Sequence, residues 1–346
     1  MIIRMLVLFL ALLIPFPAMA QGGEVNLFIW SEYIPDEVVE QFTAETGINV
    51  RISTYDSNEA MYAKVKLTGQ GYDLIVPSSD YVGLMRREGL LLELDKEKLP
   101  NLKNLDPSFR NLPFDPESAY SVPYMWGSTA IAVNTGMVDA PAVESLASLE
   151  SLWNPEWEGK LLLPNDMREV IGLALISLGM PINETDPGKL EQAVEKASGL
   201  MKQARVFDSD SPKHALLSGE VAVAVLWSGE AYIANSENPA IRYVYPKEGF
   251  SLWLDSLCIP KGAANVDEAH AFLDYLLRPD VAAAISEEMG YSTPNAAAVD
   301  MMSQELRDNP IVYPDAETLA RGQYLDDIGE AIRLYEDAWV KLKSGE

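Results

Sequence analysis

Histidine and cysteine are nearly absent from this 346-residue chain, which holds only His214, His270 and Cys258. A single cysteine cannot close an intramolecular disulfide, and Cys258, set between Leu257 and Ile259, reads as a small apolar residue on a buried strand. The two histidines are far apart in sequence, and His270 falls on an ordinary amphipathic helix. No H-E-x-x-H, C-x-x-C, S-x-x-K, G-x-S-x-G or glycine-rich phosphate loop occurs. Metal-dependent and nucleophile-dependent catalysis therefore lose their sequence support, and no catalytic residue, metal or cofactor is expected. A carboxylate-only hydrolase stays open, because glycosidic chemistry requires just a pair of acids. Basic residues are scarce as well: 26 Lys and Arg stand against 52 Asp and Glu, a net charge of −26. That balance argues against nucleic acid as a partner, since phosphate recognition needs basic surface. A negative field gathers cations, although it serves solubility equally. Internal repeats, low-complexity tracts and coiled-coil heptads are missing too.

The longest apolar run, Met5 to Ile14, follows Arg4 and leads into Pro15-Phe16-Pro17 and Ala18-Met19-Ala20. This is the layout of a cleavable signal peptide over residues 1–20, too short to act as a stop-transfer helix. No cysteine follows the apolar run, so lipid attachment is not expected. The sequence predicts a soluble, monomeric periplasmic protein with a mature chain starting near Gln21.

Beyond the leader, strand and helix signals alternate. Val25 to Trp30 is β-rich, Pro35 suits the first turn of a helix that Gly47 stops after Thr46, and Ile48 to Tyr55 is the next strand. A helix over 59–67 and a strand over 72–76 complete βαβαβ, which implies a parallel sheet with ligands beyond its carboxyl edge. After a Pro-rich stretch, the apolar run Thr129 to Asn134 carries the chain toward a second α/β unit. That unit has strands over 160–163, 221–227 and 242–245 and a long helix after Glu169. Ser251 to Pro260 suits a return crossing. Helices over 266–277, 280–289 and 328–343 close the chain. The length supports about two domains.

Acids beside aromatic residues are abundant at the predicted strand ends and crossings: Trp30-Ser31-Glu32-Tyr33, Asp80-Tyr81, Asp166 with Glu169, Trp227, Trp253 with Asp255, and Tyr291. An alkyl diammonium ligand needs such a set, because carboxylates accept charge-assisted bonds from its amines while ring faces cover its methylenes and attract its cationic ends. Plainer roles remain open. Trp30, Trp227 and Trp253 could be core residues, and Asp166 could simply cap the helix that follows. Asp255 is harder to assign to packing, since an acid inside Leu252-Trp253-Leu254-Asp255-Ser256-Leu257 is costly to bury without a partner.

A resemblance sharpens this picture. The segments Trp30-Ser31-Glu32-Tyr33-Ile34-Pro35, Thr54-Tyr55-Asp56-Ser57-Asn58-Glu59, Tyr72-Asp73-Leu74-Ile75-Val76-Pro77-Ser78, Pro123-Tyr124-Met125-Trp126-Gly127, Trp253-Leu254-Asp255-Ser256, Gly290-Tyr291-Ser292-Thr293-Pro294-Asn295 and Tyr313-Pro314-Asp315-Ala316-Glu317-Thr318 resemble, in the same order, the periplasmic spermidine/putrescine-binding proteins of polyamine ABC transporters. The likeness implies a two-lobed α/β type II periplasmic-binding-protein fold, with residues 24–131 and 255–300 in one lobe and 132–254 and 301–346 in the other. It implies a non-catalytic receptor that passes a polyamine to an inner-membrane ABC permease. A polyamine sensor feeding a signalling partner is the alternative within the same fold.

By the same likeness, Trp30, Ser31, Glu32, Tyr33, Ser78 and Tyr291 line one side of the cleft, and Asp166, Glu169, Ser209, Trp227, Trp253 and Asp255 come from the other side and the crossings. Asp166, Glu169 and Asp255 are then expected to hold ammonium groups, and Glu32 a further amine. Trp30, Tyr33, Trp227, Trp253 and Tyr291 are expected to wall the carbon chain. The chain departs from the family pattern at Asp80, where a tyrosine is common and a further carboxylate could enter the cleft, and at Leu325, where spermidine-preferring relatives carry a glutamine. The number of acids suits a triamine.

Overall fold

In the computed structural model, which describes residues 22–345, the opening segment folds with the expected alternation. The expected signal peptide lies outside the described residues. β1 (Glu24–Trp30), α1 (Asp36–Thr46), β2 (Asn49–Tyr55), α2 (Asn58–Thr68) and β3 (Leu74–Ile75) build a parallel β2-β1-β3 sheet. Gly47 ends α1 at φ 74°, a left-handed conformation that glycine adopts at little cost, and its N–H closes onto the Thr43 carbonyl. Pro35 precedes α1 in extended backbone rather than entering its first turn. β3 is shorter than the expected 72–76 run, and beyond its carboxyl end the Val76 carbonyl is taken by side chains, accepting from Trp30 Nε1 at 3.0 Å and Tyr55 Oη at 2.5 Å.

α3 (Ser79–Arg87) leads through short 3₁₀ turns into β4 (Ser121–Asn134), which is buried along its whole length. This strand starts well before the expected Thr129. Pro123 reads as a break in sequence, but the ladder absorbs it by shifting register between Pro123 and Met125. Next come α4 (Ala140–Ser145), β5 (Leu161–Leu163), α5 (Met167–Ser177), α6 (Pro187–Gln203), β6 (Ala204–Phe207), α7 (Lys213–Leu217), β7 (Val223–Trp227), α8 (Ser228–Glu237) and β8 (Ile241–Val244). The single long helix expected after Glu169 is thus two helices, the first already begun at Met167. β9 (Phe250–Cys258) returns through the middle of the molecule. α9 (Val266–Leu276), α10 (Pro279–Met289), the one-turn helices α11 (Ala296–Val299), α12 (Gln304–Arg307) and α13 (Ala316–Leu319), β10 (Gly322–Tyr324) and α14 (Ile332–Ser344) complete the chain. Gly329, at φ 61°, opens a 3₁₀ turn over Gly329–Ala331 that runs directly into α14, so the regular part of the last helix starts later than expected.

The strands follow the order β2-β1-β3-β9-β4-β7-β5-β6, with β8 added on β4 and β10 on β9. The central pair, β9 and β4, is antiparallel and wholly buried. On its two flanks lie separate cores. One gathers Val25, Phe42, Leu74, Leu257 and Phe272, and the other Ile131, Leu163, Ile171, Ala193 and Tyr335. Each fully buried side chain of this size contributes about 1.5–3 kcal/mol relative to exposure, so both flanks carry their own stabilisation. The result is a two-lobed α/β fold in which β4 and β9 are common to both halves.

Candidate functional site

Strand ends from both cores converge on one cleft with about 640 Å³ of atom-free space, continuous with solvent. Twelve of the sequence-predicted residues line it. Trp30, Ser31, Glu32 and Tyr33 arrive at the end of β1, and Ser78 precedes α3. Asp166 and Glu169 open α5, and Ser209 follows β6. Trp227 ends β7, Trp253 and Asp255 lie on β9, and Tyr291 follows α10. Asn58, Asp210, Glu230 and Leu325 complete the lining. The sequence reading did not assign the first three, although each carried a signal. Asn58 sits just past the carboxyl end of β2, Asp210 adjoins Ser209, and Glu230 is one helical turn beyond Trp227.

Asp80 is not among the lining residues. It lines a separate, smaller depression and is paired with Arg168 at 3.2 Å, both side chains being almost fully buried. Arg168 also donates to Asn183 Oδ1 at 2.7 Å and to the Asp326 carbonyl at 3.3 Å, and stacks over the Tyr335 ring.

Asp255 is buried in mid-strand, as its sequence context predicts. Its Oδ1 accepts the Ser78 hydroxyl at 2.6 Å and its Oδ2 the Tyr33 hydroxyl at 2.7 Å. Asn58 clamps Ser78 in turn, donating to its hydroxyl at 3.0 Å and accepting from its backbone N–H at 3.1 Å. Burial outweighs these bonds and pushes the Asp255 carboxyl up to about 7. Glu169 accepts the Thr129 and Ser251 hydroxyls on Oε1 at 2.8 and 3.1 Å, while its Oε2 is buried without a protein partner. Burial, and then the Asp166 charge, push it up to about 8. Asp166 caps α5 by accepting the Glu169 N–H at 2.9 Å; the capping and ligand readings of this residue are therefore compatible. Burial raises its carboxyl also.

Glu32 holds a left-handed backbone at φ 49°, which is strained for a residue with a side chain. Its carboxylate accepts Lys213 Nζ and the Ser211 hydroxyl, and Lys213 reaches Glu230 as well. The Lys213 hydrogen bond holds the Glu32 carboxyl below the ordinary range.

The aromatic walls are mutually braced. The Tyr291 ring stands edge-on to Trp253 at 5.3 Å and to Tyr33 at 5.4 Å, and Trp30 packs against Tyr55 at 4.7 Å. Trp253 Nε1 and Ser209 Oγ are buried without protein partners. Two glycines make room for these rings: a Cβ on Gly127 would meet Trp253 at 2.6 Å, and one on Gly229 would meet Tyr291 at 2.5 Å.

Among the described residues, six carboxylate side chains line the cleft and no Lys or Arg does. Among the described residues no group of His, Cys, Asp and Glu is suited to hold a metal ion. Buried carboxyls short of hydrogen-bond donors, facing aromatic rings, make a receptor for an organic cation rich in N–H groups and slender enough to pass between the rings.

Residues 37–314 match the family described as bacterial extracellular solute-binding protein. A spermidine/putrescine-binding periplasmic protein of Escherichia coli K12 is 47% identical over 325 residues, covering 94% of this chain and 92% of that protein. A putrescine-binding periplasmic protein of the same organism is 34% identical over 344 residues, covering 94% and 93%. Among solved structures, a spermidine/putrescine ABC transporter substrate-binding protein from Streptococcus pneumoniae superposes with a TM-score of 0.77 at 37% identity, covering 94% of this chain and 99% of that one.

Proposed function

The chain belongs to the bacterial extracellular solute-binding proteins, and from that membership we propose that it captures a polyamine, spermidine or putrescine, in the periplasm and delivers it to the permease of an ABC transporter. The observation that carries this reading is the set of carboxyls Asp166, Glu169 and Asp255, the first half-buried and the other two buried, in one cleft that no Lys or Arg among the described residues lines.

In this reading Asp255, oriented by Tyr33 and Ser78, takes one ammonium group, and Asp166 with Glu169 takes another. Ser31 and Ser209 add hydroxyl contacts. The rings of Trp30, Tyr33, Trp227, Trp253 and Tyr291 enclose the methylenes. A hydrogen bond to a charged group contributes about 1.5–3 kcal/mol, and a cation over a ring about 0.5–2 kcal/mol. Two paired amines and two or three ring contacts suffice for roughly −8 kcal/mol, a micromolar Kd.

The lobes divide at β4 and β9, with residues 24–131 and 255–300 in the first and 132–254 and 301–346 in the second. A ligand bridging them makes its full set of contacts only when they are closed, and that differential affinity shifts the hinge equilibrium. Closure presents a surface for a membrane permease to read. The protein acts as a monomer, performs no catalysis, and reaches the periplasm through a cleaved leader without lipid attachment.

Calorimetric titration of the purified mature chain with putrescine, spermidine, glutamate and lysine tests the reading. At least one polyamine should bind with a Kd of about 1 µM or tighter, and the amino acids far more weakly. Failure of both polyamines to bind, or tighter binding of glutamate, would overturn it. Deletion of the gene should also abolish high-affinity uptake of the bound amine.

A further inference from the structure

The six cleft carboxylates are not equally available. Lys213, the first residue of α7, has a side chain only 8% exposed. Its ammonium donates to Glu32, and to both carboxylate oxygens of Glu230 at 3.0 and 3.2 Å. Its backbone N–H adds a bond to Glu230 at 3.3 Å, and Ser211 supports Glu32 at 3.0 Å. Three separate elements meet here: the turn after β1, the start of α7 and the first turn of α8. Lys213 does not itself line the cleft, whereas Glu32 and Glu230 do; it serves them from behind. Among the described residues no Lys or Arg hydrogen-bonds the acids at the other end, where Arg168 is paired with Asp80 and reaches Asp166 and Glu169 only through its field. Asp255 has only neutral hydroxyl donors, and so does the side chain of Glu169.

We propose that Lys213 is a resident cation that compensates the Glu32 and Glu230 end of the cleft and so makes the site prefer a diamine to a triamine. This rests on the polyamine reading above. A diamine has two ammonium groups, and two shielded stations without a hydrogen-bonded cation exist for them, Asp255 and the Asp166–Glu169 pair; the sixth acid, Asp210, is exposed to solvent. A triamine must place its third ammonium elsewhere. The remaining buried acid on the wall, Glu230, and its neighbour Glu32 already share one ammonium, and a second cation approaching them meets a like charge in a partly desolvated place, where repulsion is weakly screened. The electrostatics are in keeping with this: Lys213 holds the Glu32 carboxyl low and opposes the burial that raises Glu230, while burial leaves Asp255 at about 7 and Glu169 at about 8 with no hydrogen-bonded cation. Counting acids in the sequence therefore overstates the sites open to ligand amines, because an internal lysine takes up two of them.

The test is the ratio of spermidine to putrescine affinity, measured by calorimetry on the mature protein and on two variants. The ratio cancels effects on lobe closure or on general charge that act on both amines. The unmodified protein should bind putrescine at least tenfold more tightly than spermidine. Lys213→Ala should shift the ratio at least tenfold toward spermidine. The double variant Lys213→Met with Glu230→Gln removes one charge of each sign, leaves Glu32 uncompensated at constant net charge, and should produce a shift of the same direction even if the single variant folds poorly. Equal or tighter spermidine binding by the unmodified protein would overturn the proposal, as would an unchanged ratio in the variants, while leaving the polyamine reading intact. Failure of the unmodified protein to bind either amine would overturn both.

Discussion

Tyr33 donates its phenol hydroxyl to Asp255 Oδ2 at 2.7 Å, joining two residues 222 positions apart in the chain. One stands in the turn after β1 and the other in the middle of β9, so the bond ties the first strand of the chain to the central crossing. It orients the carboxylate without neutralising it, because a phenol in this buried place keeps its proton: burial, with the Asp255 charge next, raises Tyr33 well above its ordinary range. Asp255→Asn should therefore remove a charge the ligand needs while keeping the shape, weakening polyamine binding more than tenfold. Its unliganded melting temperature near pH 7 should change little, since relief of a partly ionised buried carboxyl offsets the loss of one of the two hydroxyl bonds. Tyr33→Phe should cost less, about 0.5–1.5 kcal/mol, or roughly a threefold to tenfold loss. Wild-type affinity in Asp255→Asn by calorimetry would remove this residue from the site.

Proton release should accompany binding. Burial pushes Asp255 to about 7 and Glu169 to about 8, so both hold protons for much of the time in the unliganded protein near neutrality. An ammonium group favours the ionised carboxylate, while the amines stay charged across this range. Affinity should thus rise between about pH 5.5 and 8.5. The sign for unliganded stability is opposite. The folded state binds more protons than the unfolded one between the ordinary carboxyl range and about 8, so these two groups make stability decline as pH rises through that window. Titrations in two buffers of different ionisation enthalpy would reveal the released protons. Identical heats in both, with a flat affinity profile, would contradict the linkage.

Much of this was legible in the sequence, for physical reasons that differ by region. The β1 to β3 segment was legible because each strand is a short β-rich run and each helix has its own stop, with Gly47 and Gly69 both in left-handed turns. β6 was not. Its four residues alternate between partly buried and exposed at the end of the sheet order, so its apolar content is too thin to register. Pro123 concealed the first half of β4, because a shift in pairing that accommodates a proline depends on the partner strand. At the site, Asp255 could be recognised by the cost of burying an acid in an apolar run. Lys213 could not: a lysine at a helix start is ordinary until two carboxylates from other elements are seen around it. Asp80 shows the converse, since its partner Arg168 is 88 residues away, and no local pattern tells an acid in the cleft from one paired behind it.

The Asp80–Arg168 pair should consequently govern stability more than ligand affinity. The two side chains are 5% and 3% exposed. Removing one partner of such a pair leaves an uncompensated buried charge, at a cost of about 3–5 kcal/mol. Asp80→Ala should lower the melting temperature markedly, and a double variant with Arg168→Met should recover part of the loss. Polyamine affinity in Asp80→Ala, measured well below its transition, should remain at least tenfold better than in Asp255→Asn. A stable Asp80→Ala protein that has lost binding would instead put Asp80 in the ligand site.

Gly229 offers a steric test of the aromatic wall. A Cβ there would lie 2.5 Å from Cε1 and Cζ of Tyr291, far inside van der Waals contact, and the ring cannot retreat freely because it abuts both Trp253 and Tyr33. Overpacking of this kind costs about 1–3 kcal/mol, so Gly229→Ala should lower the melting temperature and also tilt the wall, weakening polyamine binding about tenfold or more. The two effects can be separated. Adding Tyr291→Ala to Gly229→Ala removes the clash, so the truncation should cost less stability in this background than in the parent protein, but it also removes the wall and should leave binding weak. If the double variant regains both stability and affinity, Tyr291 is packing rather than ligand wall. If Gly229→Ala alone binds like the parent protein, the ring has room to move and the bracing by Trp253 and Tyr33 does not fix it.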